Sequence, residues 1–143
     1  MDINKLINAL DNESNEKILN LTTKRIKEMN LNILMELSLP KPKLLVFIKK
    51  LNGYKYVDEM DELKCGTYLK WIVLTDPNPD NLELTNGAIF CEVRCKDDGV
   101  YIVCKSFGYF PKHFQIKMDE CLLFQKLTTQ EIILLNALDH LSN

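Results

Sequence analysis

The chain has 143 residues, 46% of them hydrophobic and 27% charged, with a formal net charge of −2. That length suits one compact domain, or a small domain with a helical appendage, and the composition is ordinary for a globular protein. No apolar run approaches the roughly 20 residues a bilayer span needs, so no membrane partner is expected.

The N-terminal stretch MDINKLINALDNES lacks the basic start and apolar core of a secretory signal. The five cysteines are odd in number and several stand where a small hydrophobe would serve. Reduced thiols and an intracellular, cytoplasmic setting are the expectation. Charge is unevenly spread: residues 1–57 hold 10 Lys+Arg against 6 Asp+Glu, whereas residues 58–143 hold 8 against 14. The basic excess concentrates in Lys41, Lys43, Lys49, Lys50 and Lys55, with no acid between Lys41 and Lys55. Such polarity can orient a molecule on a polyanion.

Residues 1–57 read as a helical segment. Asp2 can cap a short helix carrying Leu6, Ile7 and Leu10. Ser14 can cap a second, in which Ile18, Leu21, Thr22, Ile26 and Met29 recur at helical spacing until Asn30 interrupts or ends it. Leu31, Leu34 and Leu37 suggest another short helix before Pro40. Pro42 fits the first turn of a basic helix with Leu44, Leu45, Phe47, Ile48 and Leu51 as its apolar side, stopped near Gly53.

Residues 58–143 change to a period of two. Thr67 to Leu74 reads as a strand with Leu69, Trp71 and Val73 on one face and Tyr68, Lys70 and Ile72 on the other. Two prolines make residues 76–80 a loop, a short Leu-Glu-Leu strand follows, and Asn86-Gly87 signals a hairpin turn. Ile89 to Ser106 is two alternating runs around Asp98-Gly99. A two-residue turn there pairs Cys95 with Ile102 and Val93 with Cys104, turning Ile89, Cys91, Val93, Cys95, Val100, Ile102 and Cys104 inward. A strand from His113 to Met118 and another from Cys121 to Gln125 complete the set. Thr128 to Glu131 matches a capping box opening a last helix, expected to pack on the sheet. The fold class expected is α+β: a helical N-terminal segment, a small antiparallel SH3-like β-barrel or twisted sheet, and a C-terminal packing helix.

Lysine outnumbers arginine 16 to 2 and asparagine occurs 13 times. This AT-rich style resembles that of small proteins of large nucleocytoplasmic DNA viruses, which implies a viral protein of the host cytoplasm or the virion. The short helix, proline-containing connection and lysine-rich helix resemble a SAP-type DNA-binding element, without that element's glycine ahead of the second helix.

The residues argue against three chemistries. A metal centre is not expected: Cys91 and Cys95 on one strand stand about 13 Å apart at the strand rise, too far to share an ion. No cofactor is expected either, since five glycines leave little for a phosphate cradle. An enzyme would have to use His113 as its base, with no partner announced by the sequence, so no catalytic residue is assigned.

Binding is the stronger expectation. A nucleic-acid surface can form on the basic helix and its tail (Lys41, Lys43, Lys49, Lys50, Lys55, Tyr54, Tyr56) and on the outer sheet face (Tyr68, Lys70, Arg94, Tyr101, Lys105). The plain alternative for both is a solvated face with snorkelling lysines. Another protein can dock on an aromatic rim of Phe107, Tyr109, Phe110 and His113, unless Phe107, Phe110 and Phe114 instead plug the barrel end. The function expected is a non-enzymatic interaction module, docking to another macromolecule through its basic helix and aromatic rim, with sequence-tolerant nucleic-acid binding as the alternative and a small hydrolase-type enzyme built on His113 with a cysteine third.

Overall fold

The computed structural model describes residues 2–142. Asp2 opens the first helix: its Oδ1 accepts the N–H groups of Asn4 and Lys5 at 3.0 and 3.2 Å, and α1 spans Ile3–Asp11. Asn12, rather than Ser14, caps the next element, a 3-10 segment over Glu13–Asn20. The single helix expected from Ser14 is therefore two elements. Leu21 and Thr22 are extended, and α2 (Thr23–Met35) starts afresh with Thr22 Oγ1 accepting from Arg25 N–H. The restart has a tertiary cause. Asp139, late in α4 (Thr129–Ser142), accepts from the Thr23 N–H at 2.8 Å and from its hydroxyl at 2.5 Å. α2 then runs unbroken through Asn30, and α3 (Lys41–Lys50) carries Pro42 in its first turn.

Six antiparallel strands follow: β1 (Tyr54–Val57), β2 (Tyr68–Val73), β3 (Ala88–Lys96), β4 (Gly99–Lys105), β5 (His113–Lys117) and β6 (Cys121–Lys126). They form one sheet in the order β1-β6-β2-β3-β4-β5. The α+β class holds, but the expected SH3-like barrel does not close. The sheet curls enough to bring Trp71 of β2 within 5.9 Å of Phe114 of β5, three strands away. Closure would need β1 to meet β5, and the outer edge of β1 is already taken. Buried Asn30 of α2 donates to Tyr54 O and accepts from Tyr56 N–H, both at 2.8 Å, as a neighbouring strand would. β1 lies within the segment read as helical, so both halves of the chain share one sheet.

The central hairpin is shifted from its expected register. Asp97 and Asp98 form the turn, Lys96 pairs Gly99, Cys95 pairs Val100 and Val93 pairs Ile102. A bulge at Cys91 then reverses the alternation, so Phe90 pairs Cys104 and, with Ala88, turns into the core in place of Ile89 and Cys91. Cys95 keeps the face of Val93 and Val100 but, next to the turn, is exposed rather than buried. The Leu-Glu-Leu run gives only a single bridge, Leu84 to Ile72. Gly87 marks β3 lying against β2: at φ +101° an added Cβ would stand 2.4 Å from Leu69 O.

Three apolar clusters result. Leu34, Phe47 and Leu51 of the helices pack with Ile72, Leu122 and Phe124 on one sheet face. Leu69, Trp71, Phe90, Ile102, Cys104 and Leu123 fill the concave face. α4 packs against the N-terminal elements rather than on the sheet, with Leu134 and Leu135 meeting Ala9, Ile18 and Ile26. Its capping box forms as expected: Thr128 N–H to Glu131 Oε1 at 2.9 Å, and Glu131 N–H to Thr128 Oγ1 at 3.1 Å.

Replacing Asn30 by Leu leaves Tyr54 O and Tyr56 N–H without partners. Chemical denaturation is expected to show a loss of about 1–3 kcal/mol or more, the cost of stranding buried polar groups. A loss within about 0.5 kcal/mol, the range of ordinary surface substitutions, would show that the β1 edge is not held this way.

Candidate functional site

Paired residues on neighbouring strands share a sheet face, so register decides which side chains assemble. Tyr54 pairs Lys126, Tyr68 pairs Ile89, Ile89 pairs Lys105, and Lys105 pairs His113. Leu69 opposite Gln125 places Lys126 beside Tyr68, and its Nζ stands 5.2 Å from the centre of that ring. One line of side chains therefore crosses all six strands: Tyr54, Lys126, Tyr68, Ile89, Lys105, His113. At the usual strand spacing it is about 24 Å long. The same face buries Ile72, Leu122 and Phe124 under α2 and α3. Lys126, Tyr68, Lys105 and His113 follow on that face, ranging from partly to largely exposed.

Neighbours thicken the line. Lys70 Nζ lies 4.9 Å from the centre of the Tyr54 ring and donates to Lys50 O at 3.2 Å. Phe107, half-exposed in the β4–β5 loop, meets Tyr68 edge-on at 5.4 Å. Beside the His113 end is a depression of about 410 Å³ with Cys91, Val103, Phe114, Arg94 and Gln115 in its lining.

The electrostatics are lopsided. Burial, then the Lys50 and Lys126 ammoniums, push the Lys70 amine below its ordinary value, while burial holds the Tyr54 phenol above its own. Among the described residues Lys17, Lys43, Lys55, Lys64, Arg25 and Arg94 lie in ion pairs, and Lys50, Lys70, Lys105 and Lys126 lie in none. Lys50, Lys70 and Lys126 are like charges gathered beside Tyr54 and Tyr68, and Lys105 stands two strands beyond Tyr68 on the same face.

The residues singled out in the sequence divide accordingly. Lys50, Tyr54, Tyr68, Lys70, Lys105, Phe107 and His113 come together. Lys43 is committed elsewhere, donating to Asp80 O, Leu82 O and Glu83 Oε1 at 2.6 to 2.9 Å. Lys55 is held by Glu62 at 2.6 Å in a largely buried pair, and Tyr56 packs its ring 5.8 Å from Phe124. Arg94 is bound to Glu92, and Tyr101 donates to Asp98 at 2.7 Å. Lys41 and Lys49 are exposed on α3, outside the line. Tyr109 is 100% and Phe110 88% exposed, so neither plugs the sheet, whereas Phe114 does turn inward against Trp71. Lys126 was missed. It stands two and four residues after core-facing Phe124 and Leu122, so its face was legible, but its place beside Tyr68 was not.

His113 makes no side-chain hydrogen bond to a nucleophile or carboxylate among the described residues. Burial raises the Cys104 thiol to about 12 and Cys121 to about 11, so neither is a thiolate near neutral pH. Comparison with protein-family profiles, with curated proteins and with solved structures gave no match.

Two outcomes follow from this geometry. With an aromatic disulfide reagent on native protein, exposed Cys65 and Cys95 should react quickly and Cys104 only on unfolding; rapid labelling of Cys104 would contradict the packed concave face. Lys70→Gln should leave stability unchanged or raise it at low salt, with the difference shrinking as salt is added. The sign follows from the lowered amine: the folded state binds its proton less readily than the unfolded chain, so the penalty is full at neutral pH and fades as pH rises towards 10.5. A clear loss of stability at low salt would show that the Tyr54 ring and Lys50 O outweigh the repulsion at Lys70.

Proposed function

We propose that the protein is a non-enzymatic binding module whose uncovered sheet face takes a single-stranded nucleic acid. The observation that carries this reading is the six-strand line in which Lys126 and Lys105, neither in an ion pair among the described residues, alternate with exposed Tyr68 and half-buried Tyr54, with Lys70 and Phe107 beside it. Lysines spaced along a strand of phosphates release its counterions on binding, and tyrosine and phenylalanine rings stack on bases without regard to sequence. Cations left without carboxylates raise the energy of the free protein, and a polyanion removes that cost. A single strand fits better than a duplex, because Tyr68 and Phe107 sit within the line, where only unpaired bases can reach their faces.

Direct titration of a labelled oligothymidylate tests this. With about four phosphates neutralised, log Kobs should fall with log salt at a slope of about −3. Lys70→Glu with Lys126→Glu should weaken binding roughly 100-fold, and Tyr68→Ala should cost about 1–3 kcal/mol for the lost stack. Absence of binding at low salt, or affinity indifferent to salt and to the double reversal, would overturn the reading.

A second reading, docking of another protein, rests on the β4–β5 loop, where Tyr109 and Phe110 stand almost wholly in solvent. If that loop is an interface, Tyr109→Ala weakens partner capture with no change in melting temperature, because the ring packs on nothing in the free chain. A partner retained at full strength by the variant would remove this reading.

A further inference from the structure

A second surface adjoins the sheet line at Tyr54 and runs away from it over the helices. Between α2 and α3, and continuing to α4, run two joined depressions of about 380 and 200 Å³ that share Lys27, Leu51 and Asn52 in their lining. Leu31 and Ile48 line one and Ile132 the other; Ile48 is 38% and Ile132 45% exposed. Helical spacing extends the apolar surface: Met35, four residues beyond Leu31, is 60% exposed, and Leu45, three before Ile48, is 56% exposed. From Lys27 to Met35 the groove is about 12 Å long at the helical rise, two turns of a helix.

The charge of the groove selects its occupant. Lys27 and Lys49 are the only charged residues in its lining, and neither lies in an ion pair among the described residues. Backbone geometry narrows it further. An extended peptide could join only through the edge of β1, which Asn30 already fills. Two helices with apolar rows at three- and four-residue spacing instead accept the ridge of a third helix. We infer that this groove binds an acidic amphipathic helix of a partner protein, its apolar ridge seated over Leu31, Ile48 and Ile132 and its carboxylates meeting Lys27 and Lys49. The two surfaces share Tyr54 but not their lysines, so the inference stands or falls separately from the nucleic-acid reading.

A displayed library of short amphipathic helices, with leucine fixed at i, i+4 and i+7 and the remaining positions randomised, tests it on the full chain. Selection should enrich Asp and Glu and deplete Lys and Arg. The enriched peptide, synthesised, should bind saturably and lose at least tenfold in affinity to Ile48→Glu and to Lys27→Glu with Lys49→Glu. The second variant alters exposed groups only, so it reports even if Ile48→Glu fails to fold. Binding should be unchanged by Lys70→Glu with Lys126→Glu, which separates this surface from the sheet line. No enrichment, enrichment without acidic bias, or affinity unaffected by the groove variants would overturn the inference, as would loss of oligonucleotide binding on reversing Lys27 and Lys49 with no peptide selected.

Discussion

The insertion of β6 between β1 and β2 is the constraint on which the rest of the structure depends. The last strand in the chain lies in the interior of the sheet, pairing Tyr54–Val57 on one side and Leu69–Val73 on the other. Its alternation serves two cores at once. Leu122 and Phe124 face the helices, and Leu123 joins the concave cluster. Gln125, buried on that second face, accepts from Lys64 N–H and Thr67 Oγ1 and donates to Glu62 O, tying the β1–β2 connection to the strand. Without β6, β1 and β2 have no contact through the sheet, and Lys126 and Tyr68 do not meet.

The same pairing sorts the cations. Some lysines are structural: Lys43 binds α3 to the loop before β3, and Lys64 reaches Asn15 and Glu131, joining the 3-10 segment to α4. Among the described residues Lys50, Lys70, Lys105 and Lys126 lie in no ion pair with a carboxylate, though acidic residues outnumber basic ones in the chain. Leaving like charges together is unfavourable for folding alone, which is the physical reason to connect them with an anionic ligand.

Much of the fold was legible in the sequence where local chemistry decides it. Asp2, Pro42 and the Thr128–Glu131 box mark helix starts because their side chains or rings act within a few residues. The alternation in β2 and β6 located those strands to within one residue. What failed depended on distant partners. Asp139 restarts α2 from the other end of the chain, Asn30 replaces a strand on the edge of β1, and the Cys91 bulge admits Phe90 to the core. The hairpin register departs at the turn itself, where Asp97-Asp98 takes the place of the expected Asp98-Gly99, and the bulge separately takes Cys91 off the inward face. Of the site, the residue types were readable and the assembly was not: Tyr68, Lys70 and Lys105 were placed on one face, but Arg94 and Tyr101 were grouped with them although Glu92 and Asp98 hold them. Only cross-strand register shows that Tyr54, Lys126 and His113 complete the line.

The most direct measurement of the central claim is a map of amide and aromatic shift changes in isotopically labelled protein as a short oligothymidylate is added at low salt. Changes centred on Tyr54, Tyr68, Ile89, Lys105, Phe107 and Lys126, reversed by added salt, are the expected result. Shifts confined to α1 and α4, or none at all, would contradict it.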